Sequence, residues 1–373
     1  MTLFIRELQK LLALTRSDPK SLMAGVIAPT VVLLIFAITF GNFAALTLAV
    51  VDEDAGPLGA ELTDSVFSQT SPLGGQYFEA VPLASPEAHA EYEAGRVNGI
   101  LHIPEDFSAQ LQAGEPGQID YHFLNYNTDM AKNLRLYLDE GILDFYSEHL
   151  PGMDLQVEQR MAVDAQLDWF AIIAVGILLL AFLMGAMFNF LYLFNLERVH
   201  GTLIEYRLAP RSLAASFAAR LVVALLAGAV GAAVNAVLLW VVAGVNVAGH
   251  LAAILPPLLV LGVAFVSLSA LISLLIEKFS GAAMLSMISA VVIWFLSGAT
   301  TSVKYATGPL LDVALALPSS YGLSQIRASI FGVDQSVGGL LGAGKGWAVM
   351  LGYAVVLLLA AYMAYRRRLT RTQ

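Results

Sequence analysis

The stretch "WFAIIAVGILLLAFLMGAMFNFLYL", residues 169–193, contains no Asp, Glu, Lys or Arg. A helix of about 20 apolar residues is long enough to cross the hydrocarbon core of a bilayer, so the stretch predicts a membrane-spanning helix. The composition agrees, because 58% of the 373 residues are hydrophobic, only 13% are charged and the mean hydropathy is +0.72. Soluble domains are about half apolar and about a quarter charged. The chain is therefore predicted to be an integral membrane protein.

Six stretches in all are long and apolar enough to span a bilayer. They are residues 21–45, 169–193, 221–243, 251–276, 280–299 and 347–365. Pro29 lies inside the first, where a membrane helix tolerates proline if neighbouring groups satisfy the freed carbonyl. The predicted fold class is a multi-spanning α-helical membrane protein with six transmembrane helices, ending in a sixth span and basic tail over 347–373.

The segment 1–20 precedes the first span. Its apolar continuation is longer than the 7–15 residues of a signal-peptide core, which disfavours a cleaved signal. Four apolar side chains share one helical face: Phe4, Leu8, Leu11 and Leu12. This pattern predicts a cytoplasmic amphipathic helix lying on the membrane surface.

The basic residues predict the orientation, because cytoplasmic loops carry an excess of Lys and Arg. With the N-terminus inside, the inner face holds Arg6, Lys10, Arg16, Lys20, Arg198, Arg207, Arg211, Lys278, Arg366, Arg367, Arg368 and Arg371. The outer segment 300–346 holds three, Lys304, Arg327 and Lys345. Both termini are therefore predicted to be cytoplasmic. Four tryptophans fall near outer ends of spans, where an interfacial aromatic belt would place them: Trp169, Trp240, Trp294 and Trp347.

The segment 42–168 between the first two spans has a net charge of −18, whereas the rest of the chain carries +9. Within it, short apolar runs alternate with helical patterns, which predicts a small α/β extracytoplasmic domain over 46–168. Ser85 is predicted to be an N-cap and Gly95 a helix terminator. From about Asn127 the pattern turns helical, with predicted breaks near Gly141 and at 151–152.

This segment contains few candidates for metal-binding or catalytic residues. His89, His102, His122 and His149 lie among carboxylates, but no two have the spacing of paired ligands on one helical turn. Ordinary surface or packing roles are favoured over a metal site. No nucleophile–base arrangement is evident. Cysteine is absent from the chain, which excludes disulfides, thiolate metal sites and a cysteine nucleophile.

The stretch "GLLGAGKG", residues 339–346, resembles the phosphate-binding pattern G-x-x-x-x-G-K-[ST], with Gly339, Gly344 and Lys345 in register. Gly346 stands where the magnesium-binding hydroxyl is needed. The predicted orientation also places Lys345 on the outer face, where there is no ATP. A flexible turn before the last span is the favoured interpretation.

The stretch "NLERVHGTLIEYRLAPRS", residues 195–212, is short, charged and bounded by glycine and proline. It predicts a short helix on the inner face, although a solvated connector is the alternative. The loop resembles the E-R-E-x-G-T-[LI]-E-x-L-x-x-[ST]-P-x-S signature of ABC-2 type exporter permeases. The matching positions are Glu197, Arg198, Gly201, Thr202, Glu205, Leu208 and Pro210. The resemblance implies that this is the coupling helix, which docks on a separate ATPase subunit.

The resemblance extends along most of the chain. "AVVDEDAGPLGAEL" and "AGRVNGILHIPEDFSAQLQAGEP" are similar to the extracytoplasmic domain of the drug-exporter-like branch. "FLSGATTSVKYATGPLLDVALALPSSYGLSQIR" resembles the passage from span five through outer, re-entrant-like helices over 300–346. Pro318, Tyr321 and Arg327 occupy the places of its L-P-x-x-[YH]-x-x-x-x-[IL]-R ending, whereas Val303 and Lys304 replace a usual proline.

The resemblance implies a permease subunit of an ATP-driven exporter in the bacterial inner membrane. The partners it implies are an ABC ATPase that binds ATP and magnesium, a second permease copy and membrane lipids. The size of the outer domain would also suit contact with a periplasmic adaptor, where the host has an outer membrane. The chain itself is expected to bind no cofactor, metal or nucleic acid and to have no catalytic residue.

Few charges fall within the spans, and Arg220, at the inner end of the third, is expected to snorkel to the interface. Because membrane-buried charges usually mark ion pathways, this scarcity disfavours a proton-driven antiporter. It favours an amphiphilic or hydrophobic substrate such as a drug or lipid. Asn189 and Asn235 are candidates for the translocation path, with interhelical hydrogen bonding as the favoured role. An ATPase-independent secondary transporter and a membrane-anchored sensor are the alternatives.

Overall fold

The computed structural model describes residues 2–40, 45–70, 76–115, 117–123, 129–149, 169–208, 212–300, 303, 308–332 and 343–370. The chain forms two compact units, one of Met1–Asn42 with Leu167–Gln373 and one of Phe43–Gln166. In chain order the helices are α1 (Thr2–Ser17), α2 (Lys20–Phe40), α3 (Leu58–Phe67), α4 (Ser85–Glu93), α5 (Phe107–Gln112), α6 (Asp129–His149), α7 (Trp169–Val199), α8 (Glu205–Leu208), α9 (Leu213–Ala243), α10 (Leu251–Leu275), α11 (Phe279–Leu296), α12 (Pro309–Ala316), α13 (Pro318–Phe331) and α14 (Ala343–Thr370). Two short 3₁₀ helices lie at Thr202–Ile204 and Ala248–His250.

Six described helices are long and apolar enough to cross a membrane: α2, α7, α9, α10, α11 and α14. With the small mixed sheet of the second unit, they confirm the predicted fold class. α2 continues through Pro29. α9 begins at Leu213, well before the predicted start at 221, and α14 extends beyond 347–365 at both ends.

α7 is the central helix of the first unit. Its apolar stretch is 94% buried, compared with 22% for α2 and 17% for α14, and α2, α9, α10 and α11 pack against it. Glycines let α2 and α9 approach α7 closely. A Cβ added at Gly25 of α2 would lie 2.4 Å from Gly185 Cα of α7, and one at Gly228 of α9 would lie 2.5 Å from Phe182 O. Backbone contact at small residues is a common way for membrane helices to associate.

α1 packs against the spans. Leu11 is fully buried in a cluster with Leu193, Ala219 and Val223, whereas its neighbour Leu12 is 40% exposed. The two leucines predicted to share one face therefore lie in different environments. The polar side chain of Glu7 is also buried on the docked side.

Trp294 is 2% exposed and donates a hydrogen bond from Nε1 to Gly176 O at 2.6 Å. The interfacial-belt interpretation is therefore wrong for this residue, which packs inside the bundle. Trp240 is exposed, in keeping with the interpretation. The side chain of Trp169 lies outside the described residues.

The second unit is built on a four-stranded sheet in the order β2-β1-β3-β4, with β1 (Leu46–Asp52), β2 (Phe78–Pro82), β3 (Gly99–Ile103) and β4 (Asp120–Phe123). β1 pairs parallel with β2 and with β3, and β4 is antiparallel to β3. A hydrophobic cluster lies on each face of the sheet, and successive residues of β1 point to opposite faces. Leu48 packs with residues of α3 and α6 in one cluster, and Ala49 packs with Ala88 of α4 in the other.

Two helix-boundary predictions in this unit are wrong. Ser85 is the first residue of α4, Ala84 is the N-cap and no side chain caps the helix, while Gly95 ends it with φ 70° as predicted. α6 continues through Gly141, where a Cβ would lie 2.7 Å from Val66 Cα. Gly141 is thus a close-packing residue and not a helix break. The predicted break at 151–152 lies outside the described residues.

Candidate functional site

The predicted coupling loop begins where α7 ends at Val199. Gly201 adopts φ 70°, which reverses the chain into the 3₁₀ turn Thr202–Ile204 and then α8. Glycine takes this left-handed conformation without the steric cost that other residues carry. Thr202 Oγ1 donates to Glu197 O at 3.2 Å, which ties the turn back to α7. Pro210 lies outside the described residues, as does the side chain of Leu208.

A buried polar cluster lies beneath this loop. We call it the inner cluster, and its members are Glu7, Lys10, Glu197, Tyr206 and Arg220. They belong to α1, α7, α8 and α9. Four of them are at most 7% exposed, and Lys10 is the partly exposed member. The cluster therefore joins the N-terminal helix, the loop and two spans.

Glu197 is the centre of the cluster. It forms an ion pair with Arg220 and accepts from Lys10 Nζ at 2.8 Å. The Tyr206 hydroxyl donates to Glu7 Oε2 at 2.7 Å and accepts from Lys10 at 2.5 Å and from Arg220 at 3.2 Å. Two acids and two bases share the site, so their formal charges balance.

Aromatic rings complete the surroundings of Arg220. Its guanidinium carbon lies 5.8 Å from the ring centre of Phe194 and 5.7 Å from that of Tyr206. Among the described residues, Nε and Nη1 have no hydrogen-bond partner, and the ring faces compensate part of that loss. Arg220 is only 1% exposed, so the expectation that it snorkels is wrong. Pairing inside the protein replaces contact with the headgroups.

Protonation of the cluster follows from these contacts. Burial alone would lower the pKa of Lys10, but its hydrogen bonds to Glu197, Tyr206 and Glu7 outweigh burial and raise that pKa above the ordinary range. Burial raises the pKa of Tyr206, although the neighbouring Arg220 opposes the shift. Lys10 is therefore cationic and Tyr206 is a neutral donor at physiological pH.

Arg198 has a different role from its neighbour Glu197. Its guanidinium donates to Ser273 O at 2.5 Å and to Glu277 O at 2.7 Å, at the end of α10. Carbonyls of a last helical turn lack intrahelical partners, and a cation is favourable there. Arg198 thus links the C-terminal ends of α7 and α10.

The tip of the loop is exposed. Val199 is 73% exposed and Ile204 is 55% exposed, and His200, Gly201 and Glu205 are also exposed. Of the predicted coupling residues, Gly201 and Glu205 lie at this tip. Glu197 and Arg198 lie at the base of the loop, where it joins α7 and the inner cluster, and we call this base the root. Glu7, Lys10 and Tyr206 were not predicted from the sequence as functional candidates. The three-residue spacing of Glu7 and Lys10, which form an ion pair at 2.9 Å, was the available signal.

The predicted outer-gate residues come together at the other end of the first unit. Pro318 opens α13, and Tyr321 donates from its hydroxyl to Leu315 O at 2.7 Å. Arg327 is 6% exposed and donates to backbone carbonyls of two other segments. Val303 is buried, and Lys304 lies outside the described residues.

Asn189 and Asn235 are both fully buried. Asn189 Nδ2 lies 3.5 Å from Thr15 Oγ1 of α1, and Asn235 Nδ2 donates to Gly231 O of its own helix at 3.0 Å. The Oδ1 atom of each has no hydrogen-bond partner within the described ranges of the chain. Their part in a translocation path stays a prediction.

In the described part of the chain, no group of three His, Asp or Glu residues is placed to hold a metal ion. His102 contacts Glu53 at 3.2 Å, and His149 contacts Glu61 at 2.9 Å while stacking on Phe145. In the phosphate-loop-like stretch, Lys345 lies in the first turn of α14, and residues 339–342 fall outside the described residues.

Comparison with protein families decides the identity. Residues 20–363 match the family described as ABC-2 family transporter protein. The chain belongs to this family. A search of curated proteins finds no match. The matched region includes all six spans and both ends of the bundle described above, and ABC-2 proteins are membrane components of transporters.

Proposed function

We propose that this ABC-2 protein is the membrane-spanning permease subunit of an ATP-driven exporter. A separate ATPase supplies the energy, and the cargo is an amphiphilic or hydrophobic compound, such as a drug or lipid, taken from the cytoplasm or inner leaflet. The single observation that carries the proposal is the loop 199–208, with an exposed tip and a root fixed in the inner cluster.

The tip offers a surface of suitable chemistry for a protein partner. Val199 and Ile204 are exposed apolar side chains, and Glu205 adds a charge beside them. An apolar centre with a polar rim is typical of protein–protein contacts. Contact through these residues positions the ATPase below the spans, where ATP and magnesium bind to that partner.

The root supports transmission of force. Glu197 on α7, Tyr206 on α8 and Arg220 on α9 are held by charge-assisted hydrogen bonds, which are stronger than neutral ones. Arg198 adds a connection to α10. Displacement of the tip by an ATPase therefore moves the inner ends of three spans together.

The remaining assignments belong to the same proposal. Two copies, identical or sister permeases, form the transporter in a bacterial inner membrane, with both termini cytoplasmic. The second unit lies outside, where its net negative charge favours solubility and where it is available to a periplasmic adaptor.

The test is co-purification. The His-tagged chain is extracted from its own host in a mild detergent, and bound ATPase is identified by mass spectrometry and by hydrolysis of Mg-ATP. The double variant I204D/E205K alters only exposed tip residues, and K278E is the matched control because it reverses an exposed charge in the inner turn before α11. We expect a stoichiometric ATPase with the wild type and K278E and its loss from I204D/E205K. An intact chain that never brings an ATPase would contradict the proposal.

A further inference from the structure

Arg327 connects three segments at the end of the first unit opposite the inner cluster. From α13 it donates from Nε to Ile172 O at 3.1 Å, from Nη1 to Gly298 O at 2.8 Å and from Nη2 to Ala299 O at 2.6 Å. Ile172 lies in the first turn of α7, and the two other carbonyls follow the end of α11. No carboxylate pairs with Arg327 among the residues that the structure describes.

This arrangement gives the arginine a mechanical role. The two carbonyls that follow α11 lie next to the negative pole of its helix dipole, so a cation is favoured there. A planar guanidinium presents five donors in a fixed fork, whereas an ammonium is a compact point charge on a flexible stem. The fork of Arg327 holds carbonyls of two segments at once, with a separate nitrogen directed at each carbonyl.

Two further contacts join the same segments. Trp294 of α11 donates to Gly176 O of α7, and Ser297, which follows α11, lies 2.5 Å from Ser319 of α13 through their hydroxyl oxygens. Gly176 lies close to the same groups, because a Cβ there would lie 3.2 Å from Ala299 O and 3.4 Å from Arg327 Nη2. We call residues 172–176, 294–299 and 318–327 the outer body.

We propose that Arg327 is a positioning residue that makes the outer body a single mechanical unit. Movement of α7 is then delivered directly to α11 and α13, and these segments travel together without separating. The inference deepens the proposed transport function and rests on it for the meaning of the movement. The geometry itself can be tested without an ATPase.

The first experiment measures how closely α11 and α13 are held. The chain has no cysteine, so S297C/S319C introduces a unique pair. Disulfide formation with copper phenanthroline is followed in native membranes with Arg327, R327K or R327M, and R366K, which alters an exposed arginine of α14, is the matched control. We expect at least a fivefold slower reaction in both Arg327 variants and an unchanged rate in R366K. Equal rates in all four would overturn the inference.

A milder variant tests the same contact in case the Arg327 variants misfold. G176A keeps Arg327 and places a methyl group in tight contact with Ala299 O, beside Nη2 of Arg327, so a slower disulfide reaction is expected there too. Single cysteines at 297 and 319 report intermolecular reaction. A role in stability alone would reduce the amount of folded protein and leave the reaction rate of the folded fraction unchanged.

The second experiment asks whether the outer body stays intact during the cycle. Oxidised S297C/S319C, purified with its ATPase, is expected to hydrolyse Mg-ATP at the rate of the reduced form. Loss of hydrolysis on oxidation, reversed by dithiothreitol, would show that α11 and α13 must separate and would overturn the inference. If no ATPase accompanies the wild type, the proposed function fails, while the disulfide rates still decide the role of Arg327.

Discussion

Glu197 and Arg220 form a buried ion pair whose two members have unequal support. If Glu197 becomes Gln, Arg220 loses its carboxylate partner, whereas if Arg220 becomes Met, Glu197 keeps Lys10 at 2.8 Å. Removing one partner of a buried pair typically costs about 3–5 kcal/mol. We expect E197Q to reach this range and R220M to cost clearly less.

The double variant E197Q/R220M separates pairing from burial. It leaves no unpaired charge from this ion pair, so its cost is expected to be less than the sum of the two single costs. Unfolding in mixed micelles with increasing SDS measures all three, with R366K as a control for an exposed arginine. Equal costs for both single variants and strict additivity would contradict the asymmetric cluster.

Asp54 gives the second unit a pH dependence. Burial alone would raise its pKa, but hydrogen bonds from Ser108, Gly59 and Gly56 lower it below the ordinary value. Ser108 N donates to Oδ1 at 3.0 Å, and Ser108 Oγ donates to Oδ2 at 2.5 Å. Because the folded-state pKa is the lower one, the carboxylate adds stability above the unfolded-state value of about 3.9 and loses it as the pH falls through the folded-state value.

The comparison variant for this prediction is D54N. At pH 7 we expect faster amide hydrogen exchange in α3 and α5 of D54N than of the wild type, measured in the full-length protein. The difference is expected to shrink as the pH falls through the lowered folded-state pKa of Asp54, because the wild-type carboxylate then becomes protonated. A difference that grows on acidification would have the wrong sign and would reject the assigned role of Asp54.

At the scale of elements, α2, α7 and α9 pack by backbone contact. A Cβ at Gly25 would lie 2.4 Å from Gly185 Cα, a distance that needs the helices to move apart. Gly352 of α14 is the matched control, because a Cβ there meets nothing within 4 Å. We expect G25A to lower the melting temperature in detergent by several degrees, whereas G352A is neutral or slightly stabilising through helix propensity. Similar melting temperatures for both variants would exclude backbone contact as the main packing force.

The number of spans could be predicted from the sequence because apolar length is a local property of each segment. The start of α9 could not be predicted in this way, because the polar side chains of Ser216 and Arg220 are unfavourable in contact with lipid. Ser216 contacts Tyr365 at 3.2 Å and Arg220 pairs with Glu197, so both are satisfied by distant parts of the chain. Gly141 was misread for the same reason, because its close neighbour Val66 belongs to another helix.

The exposed loop of the candidate site could be predicted from the sequence, whereas the buried contacts of its root could not. Gly201 indicates a turn and Glu205 adds a charge, and both lie in one short segment between two apolar stretches. Lys10, by contrast, lies 187 residues from its partner Glu197, and nothing local in α1 indicates that partner. A sequence pattern identifies what a segment presents to its surroundings, whereas long-range partners emerge only when helices pack.

At the scale of the whole molecule, α7 connects the two ends of the first unit. Its C-terminal end carries Glu197 of the inner cluster, and Ile172 O near its N-terminal end accepts a hydrogen bond from Arg327. The distance along the helix between them is about 38 Å at 1.5 Å per residue. A buried helix of this length, fixed at both ends, suits the transmission of movement from the loop to α12 and α13.

This transmission can be measured with one reporter. L310C places a single cysteine at an exposed position of α12, and its reaction with a membrane-impermeant maleimide is compared before and after trapping the ATPase with Mg-ATP and vanadate. We expect trapping to change the labelling rate at least threefold in the wild type. E197Q at the inner end and R327K at the outer end are each expected to abolish that change, because either break disconnects α12 from the loop.

The combination of the two variants distinguishes transmission from general weakening. Sites this far apart affect stability additively, so the SDS-unfolding costs of E197Q and R327K should sum in the double variant. The losses of the labelling change at L310C should not sum in the double variant, because a connection that is already broken at one end cannot be lost again. If each single variant keeps half the response and the double loses the rest, movement reaches α12 by parallel routes, and α7 is not the principal connection.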